Sequence, residues 1–119
     1  MDKLTEIFTL QKQFNDEVIE KRNLVNISQQ EWIKNYAIAL YVELGEFLNE
    51  TNFKWWKNPK EINMPALKEE LVDILHFFIS LCIRCGMNAD ELHSMYIDKN
   101  KENILRQQGK SDKQGYEPI

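Results

Sequence analysis

The stretch YVELGEFLNE, Tyr41–Glu50, decides how this chain folds. Written as a helix, it places Glu43, Glu46 and Glu50 at i, i+3 and i+7, on one face. That face continues upstream through Leu40, Ala39 and Tyr36 and also carries Phe47. It is the apolar stripe of an amphipathic helix, where a carboxylate is costly unless something compensates it. A second stretch repeats the conflict. In KEELVDILHFF, Lys68–Phe78, Glu70 and Asp73 stand at i, i+3 on a face shared with Ala66, Leu67, Ile74, Phe77 and Leu81. Solvated helix faces would account for one such acid pair, but they fit two pairs in apolar stripes poorly. Four inward carboxylates do not all ionise side by side without cations. Hard divalent cations held by carboxylate oxygens resolve the conflict, and Mg²⁺ is the usual choice where phosphates complete the coordination shell.

Around these two stretches the chain reads as helical throughout. It has only 4 glycines and 3 prolines in 119 residues, and helical periodicity dominates. A first helix is expected over Lys3–Lys21, with Leu4, Phe8, Phe14 and Val18 inward. NLVNIS, Asn23–Ser28, breaks it. Ser28 with Glu31 three residues later is a capping-box signature for a second helix, running to about Glu50. Pro59 and Pro65 make TNFKWWKNPKEINMP, Thr51–Pro65, a loop, and Pro65 suits the first turn of a third helix ending near Arg84. Gly86 then stands at a C-terminal cap position. Asn88 with Glu91 starts a fourth helix, ending near Gln108–Gly109, and the tail 109–119 is polar. An all-α, antiparallel four-helix arrangement follows, as a single domain over residues 1–119.

Composition narrows the function. A hydrophobic fraction of 43% supports a real core, and a net charge of −4 provides no basic field for nucleic acid. The apolar run FFISLCI, Phe77–Ile83, is too short to span a bilayer, and MDKLTEIF lacks a secretory apolar region, so a cytoplasmic location is expected. Cys82 and Cys85 form a C-x-x-C pair inside an apolar helix with no second ligand pair, which reads as buried core thiols.

The acid pairs and their flanks resemble a known family. E-x-x-E at Glu43 and Glu46, 23 intervening residues, then E-x-x-D at Glu70 and Asp73 is similar to the signature of the all-α nucleoside triphosphate pyrophosphatases, the MazG-like and dimeric dUTPase enzymes. The flanking blocks LQKQFND, FKWWKN, EELVDILHF and YIDKNKENILRQQG resemble the dimeric dUTPase branch, in the right order over most of the chain. The resemblance implies a MazG-like all-α fold and Mg²⁺-dependent hydrolysis of dUTP to dUMP. It also implies Glu43, Glu46, Glu70 and Asp73 as metal ligands, with Glu46 also orienting or deprotonating the water. One departure stands out: the larger relatives carry a long insertion where this chain has only CGMN, Cys85–Asn88. A compact enzyme with another preference, for dCTP or NTPs broadly, is therefore the alternative. A non-catalytic helical interaction module is the second.

Other residues fall into roles within that frame. Lys99, Asn103 and Arg106 share one face of the fourth helix with Tyr96 and suit phosphate oxygens, with Tyr116 of the tail over them. Gln11 and Asn15 lie at i, i+4 on the inward stripe of the first helix, and carboxamides match both donors and acceptors on a uracil edge. Trp55 or Trp56 is expected to stack on the base while the other packs, with Trp56 favoured and Phe77 as the opposite wall. Glu50 is a candidate outer-shell acid, and His76 stands three residues after Asp73 near the metal edge. Helices one to three have apolar residues beyond a single stripe, so a homodimer is expected.

Overall fold

A computed structural model describes residues 1–117. The last two positions of the expected polar tail, 118–119, lie outside the described residues. Four helices follow in order: α1 (Lys3–Lys21), α2 (Gln29–Asn49), α3 (Met64–Arg84) and α4 (Ala89–Gln107). Among the described residues there is no strand, so the fold is all-α. Each helix begins on a side-chain cap. Asp2 accepts from the Thr5 amide, Ser28 from Glu31, Asn63 from Ala66 and Asn88 from Glu91. Each cap satisfies an amide that the helix itself leaves unpaired and contributes about 1 kcal/mol. Gly86, with φ +82°, ends α3 in the left-handed region that only glycine enters cheaply.

The chain divides into two compact units, Met1–Gly86 and the residues from Met87 on. In the first, α3 packs against both α2 and α1. The α2–α3 pairing is antiparallel, with a seven-residue step. Gln29 meets Arg84, donating from its amide to the Arg84 carbonyl and accepting from the guanidinium at 2.9 Å. Tyr36 faces Phe77 at 6.5 Å between ring centroids. Glu43 stands against Glu70 in the next layer. A step of seven is two helical turns, the spacing of interdigitating core layers. α1 runs parallel to α3, because Gln11 pairs with His76 and Asn15 with Ser80 at the same sequence offset.

The buried apolar set of this unit is small: Phe8, Trp32, Tyr36, Ile79 and Cys82. Trp32 stacks on Tyr36 at 5.2 Å, and the Arg84 guanidinium lies over the Trp32 ring at 5.1 Å. Two sequence expectations need correction. Phe14 is not inward but 59% exposed. It belongs to a second apolar stripe of α1, with Ile7 and Leu10, that lines an open groove together with Val72 and Leu75 of α3. Cys85 is exposed as the C-cap of α3, so only Cys82 is a core thiol.

The second unit is organised around α4. Arg106 pairs with Glu102 at 3.0 Å and lies over the Tyr116 ring at 5.7 Å. The Ser111 hydroxyl donates to the same Glu102 carboxylate at 2.5 Å. These hydrogen bonds, first Ser111 and then Arg106, hold Glu102 below the usual carboxylate range.

Candidate active site

The α2–α3 layer beyond Tyr36 and Phe77 should be apolar by the logic of helix packing. It holds acids instead. Carboxylate oxygens of Glu43, Glu46 and Glu70 lie within 4.8 Å of one another, with Glu43 and Glu70 half-buried and Glu46 exposed at the rim. Asp73, one turn beyond Glu70, is half-buried and adds to the field at Glu43, though it stands outside that closest set. One oxygen each of Glu43 and Glu70, Oε2 in both, is buried without a hydrogen-bond partner. A buried acceptor left unpaired costs about 1–3 kcal/mol, more when charged. Two such atoms, facing each other across a helix pair, fit a cation better than any protein group present. Hard-oxygen donors of this kind suit Mg²⁺ or a similar divalent ion. Glu50 continues the same seven-residue series from Glu43 and is half-buried at the end of α2.

The electrostatics agree. Burial, then the hydrogen bond with Glu70, then the charges of Glu46, Glu70 and Asp73 push the Glu43 carboxyl up to about 7. The linkage has a definite sign. Between pH 4.5, its ordinary value, and about 7, the folded chain holds a proton that the unfolded chain has released. Stability of the metal-free protein is therefore expected to fall as pH rises through that window and to level off above it. Melting temperatures in a chelator across pH 4.5 to 8 check this. Glu43→Gln should flatten the profile and melt higher than wild type at pH 8. A wild-type profile that rises with pH would show that Glu43 is not charged at a cost.

The two amides singled out from the sequence are brought together. Gln11 is buried and donates to Asn15 Oδ1 at 2.9 Å, and Asn15 donates to Ser80 Oγ at 3.0 Å. Ser80 donates in turn to the His76 carbonyl at 2.7 Å, and His76 Nδ1 pairs with Gln11 Oε1. The result is a polar ring between α1 and α3. His76 and Ser80 are its members that sequence reasoning did not assign to base recognition. Their only sequence signal was register, since both lie within two turns of Asp73 on α3. His76 was expected at the metal edge, and the structure engages it with Gln11.

The aromatic residues are distributed differently. Phe77 packs on Tyr36 in the α2–α3 contact. Trp55 and Trp56 meet edge to face at 4.7 Å, and both are exposed, at 84% and 61%. The two rings pack on each other in the loop after α2. Trp56 meets Phe53 edge to face at 6.5 Å between ring centroids. Of the phosphate-binding candidates, Arg106 and Tyr116 lie together within the second unit, while Lys99 and Asn103 are exposed on α4.

Comparison with known proteins matches this architecture to a family. A family model described as dUTPase matches residues 3–91, which hold both acid pairs and the whole of α1–α3. Two phage proteins are similar. The dCTP pyrophosphatase of Enterobacteria phage T4 is 49% identical over a match covering 34% of this chain and 24% of its own length. The dCTP pyrophosphatase of Enterobacteria phage LZ5 is 33% identical, with 67% of this chain and 56% of its own length covered. A DNA replication protein of phage T4 is 49% identical over 29% of this chain and 9% of its own length. No solved structure matches. An all-α fold with paired acids on adjacent helices defines the class, and the chain belongs to the all-α dUTPase family.

Among the described residues no helix is long and apolar enough to cross a membrane.

Proposed function

We propose that this protein is a Mg²⁺-dependent nucleoside triphosphate pyrophosphohydrolase that converts dUTP to dUMP and pyrophosphate. The single observation that carries the reading is the pair of buried, partnerless oxygens on Glu43 and Glu70 in a helix layer that packing would otherwise make apolar. Mg²⁺ held by Glu43, Glu46, Glu70 and Asp73 would supply charge neutralisation for the phosphate oxygens. Glu46, at the open rim, orients the attacking water and takes its proton. The water oxygen bonds to the α-phosphorus, the bond from that phosphorus to the bridging oxygen breaks, and pyrophosphate leaves with the bonding pair. Gln11 and Asn15, steadied by His76 and Ser80, read the pairing edge of the base. Trp56 offers a stacking surface, and Phe77 backs the site from the Tyr36 contact. Lys99, Asn103, Arg106 and Tyr116 are proposed as the phosphate-binding residues.

A second reading has its own support. Both phage pyrophosphatases above are named for dCTP. Carboxamides present a donor and an acceptor, so Asn15 and Gln11 held in the flipped orientation would match cytosine instead of uracil. The chain is further proposed to act as a homodimer in the cytoplasm. The face of α2 opposite Tyr36 and Glu43 exposes Ile38, Val42 and Leu48, and a side chain added at Gly45 on that face would meet nothing within 4 Å.

Pyrophosphate release from each common dNTP and NTP, with and without Mg²⁺, tests the reading. Release is expected only with the metal and fastest from dUTP. Fastest release from dCTP would select the second reading. No release from any nucleotide, together with no specific melting shift from Mg²⁺, would leave a helical interaction module. A bound metal at about 100 times its Kd stabilises the fold by about 2.7 kcal/mol, well within reach of a melting experiment.

A further inference from the structure

We propose that the loop following α2 is an anion pocket that receives the departing pyrophosphate, with Lys54 and Lys57 as its charged groups. The inference rests on the nucleotide reading above and adds a site to it.

The pocket is a cavity of about 310 Å³ whose lining includes Asn49, Thr51, Lys54, Lys57 and Asn58. Its frame is rigidly tied. Asn52 clasps the backbone of Lys60 from both sides, donating to its carbonyl and accepting from its amide, each at 2.9 Å. The Lys60 ammonium is spent on the same frame, donating to the Asn49 carbonyl at the end of α2 at 2.6 Å. Lys54 lies over the Phe53 ring at 5.8 Å, and Lys57 lines the cavity beside it. Among the described residues neither takes part in an ion pair. The chain has a net charge of −4, yet the ten residues of this loop, 51–60, hold three lysines and no acid. Unpaired ammonium groups at a polar cavity suit phosphate oxygens.

Register along the helices gives the pocket its meaning. On α3 the polar ring sits at His76 and Ser80, then come Asp73 and Glu70 toward the helix start. From Ser80 to Glu70 is ten residues, or about 15 Å along the axis at about 1.5 Å per residue. On antiparallel α2 the same direction runs from Glu43, opposite Glu70, through Glu46 to Asn49 on the pocket wall. Glu46 to Asn49 is one turn, about 5 Å. The order along the molecule is therefore amides, acids, lysines. A nucleotide with its base at the amides and its α-phosphate at the acids extends its last two phosphates toward Lys54 and Lys57. Acids and lysines do not neutralise each other: two acid oxygens stay unpartnered, and among the described residues neither lysine is in an ion pair. An extended ligand that brings metal to one and phosphate to the other satisfies both.

Calorimetry on the full chain tests this, with inorganic pyrophosphate and dUMP titrated separately in excess Mg²⁺. The double variant Lys54→Ala/Lys57→Ala is expected to bind pyrophosphate at least about tenfold more weakly than wild type, because two charge-assisted contacts are lost. Its affinity for dUMP should change less than about twofold, since the monophosphate stops at the acids. Lys54→Arg/Lys57→Arg should retain pyrophosphate binding. Both lysines are exposed, so melting temperatures should stay at the wild-type value. Equal pyrophosphate affinity in wild type and the alanine variant would overturn the proposal, as would equal losses for both ligands. Should wild type hydrolyse no nucleotide while its pyrophosphate binding still depends on the two lysines, the anion pocket stands and the hydrolase reading falls.

Discussion

Glu46→Gln and Asp73→Asn are each expected to lower pyrophosphate release by roughly 10³-fold or more, about 4 kcal/mol in the barrier, while leaving the helices folded. Both substitutions keep the shape of the side chain and remove its charge. Metal affinity and proton acceptance depend on that charge, whereas helix packing does not. Glu46 is exposed at the rim, so its amide form meets no steric objection there. Asp73 contributes to the repulsion that raises Glu43, so Asp73→Asn should stabilise the metal-free chain even as it removes activity. That combination, a higher melting temperature without metal and no turnover with it, separates a metal site from an ordinary structural carboxylate. Turnover at the wild-type rate in saturating Mg²⁺ would remove the substituted residue from the site.

The second large effect concerns the base. Asn15→Ala should erode the preference for dUTP over dCTP by one to two orders of magnitude, because a site built on buried hydrogen bonds rejects a wrong partner by leaving groups unpaired. Asn15 both accepts from Gln11 and donates to Ser80, so its loss frees two neighbours at once. Rejection of dTTP should survive that change, since thymine shares the pairing edge of uracil and differs only by a methyl group. Trp56→Ala should do the opposite, admitting dTTP or losing base selection altogether. The ring is largely exposed, so its removal should cost little stability. Rates of both variants on dUTP, dCTP and dTTP decide the matter. A wild-type protein that hydrolyses dCTP as well as dUTP would end the uracil assignment and favour the preference carried in the names of the two phage pyrophosphatases.

Some of this molecule was written locally. Local signals are strong where one residue type has one job, as with Ser28 and Asn88 at helix starts and Gly86 at a helix end. The acid pairs were legible for the same reason, because a carboxylate at a core position has few physical excuses. Phe14 was misread because α1 carries two apolar stripes, and periodicity alone cannot say which one meets a neighbour. Cys85 was misread because a helix stripe ends where the helix does, and that residue is already the cap.

What the sequence by itself determined is the set of helices, their ends and the four acids, since each follows from interactions within about one turn of chain. Only the tertiary structure decided the register, in which a seven-residue step pairs Gln29 with Arg84, Tyr36 with Phe77 and Glu43 with Glu70. It alone closed Gln11, Asn15, Ser80 and His76 into one ring and set Lys54 and Lys57 beside a cavity, outside any ion pair among the described residues. The physical reason is that these contacts join residues far apart in the chain. Which partner each one meets depends on how whole helix faces interlock, and no short stretch of sequence encodes that choice.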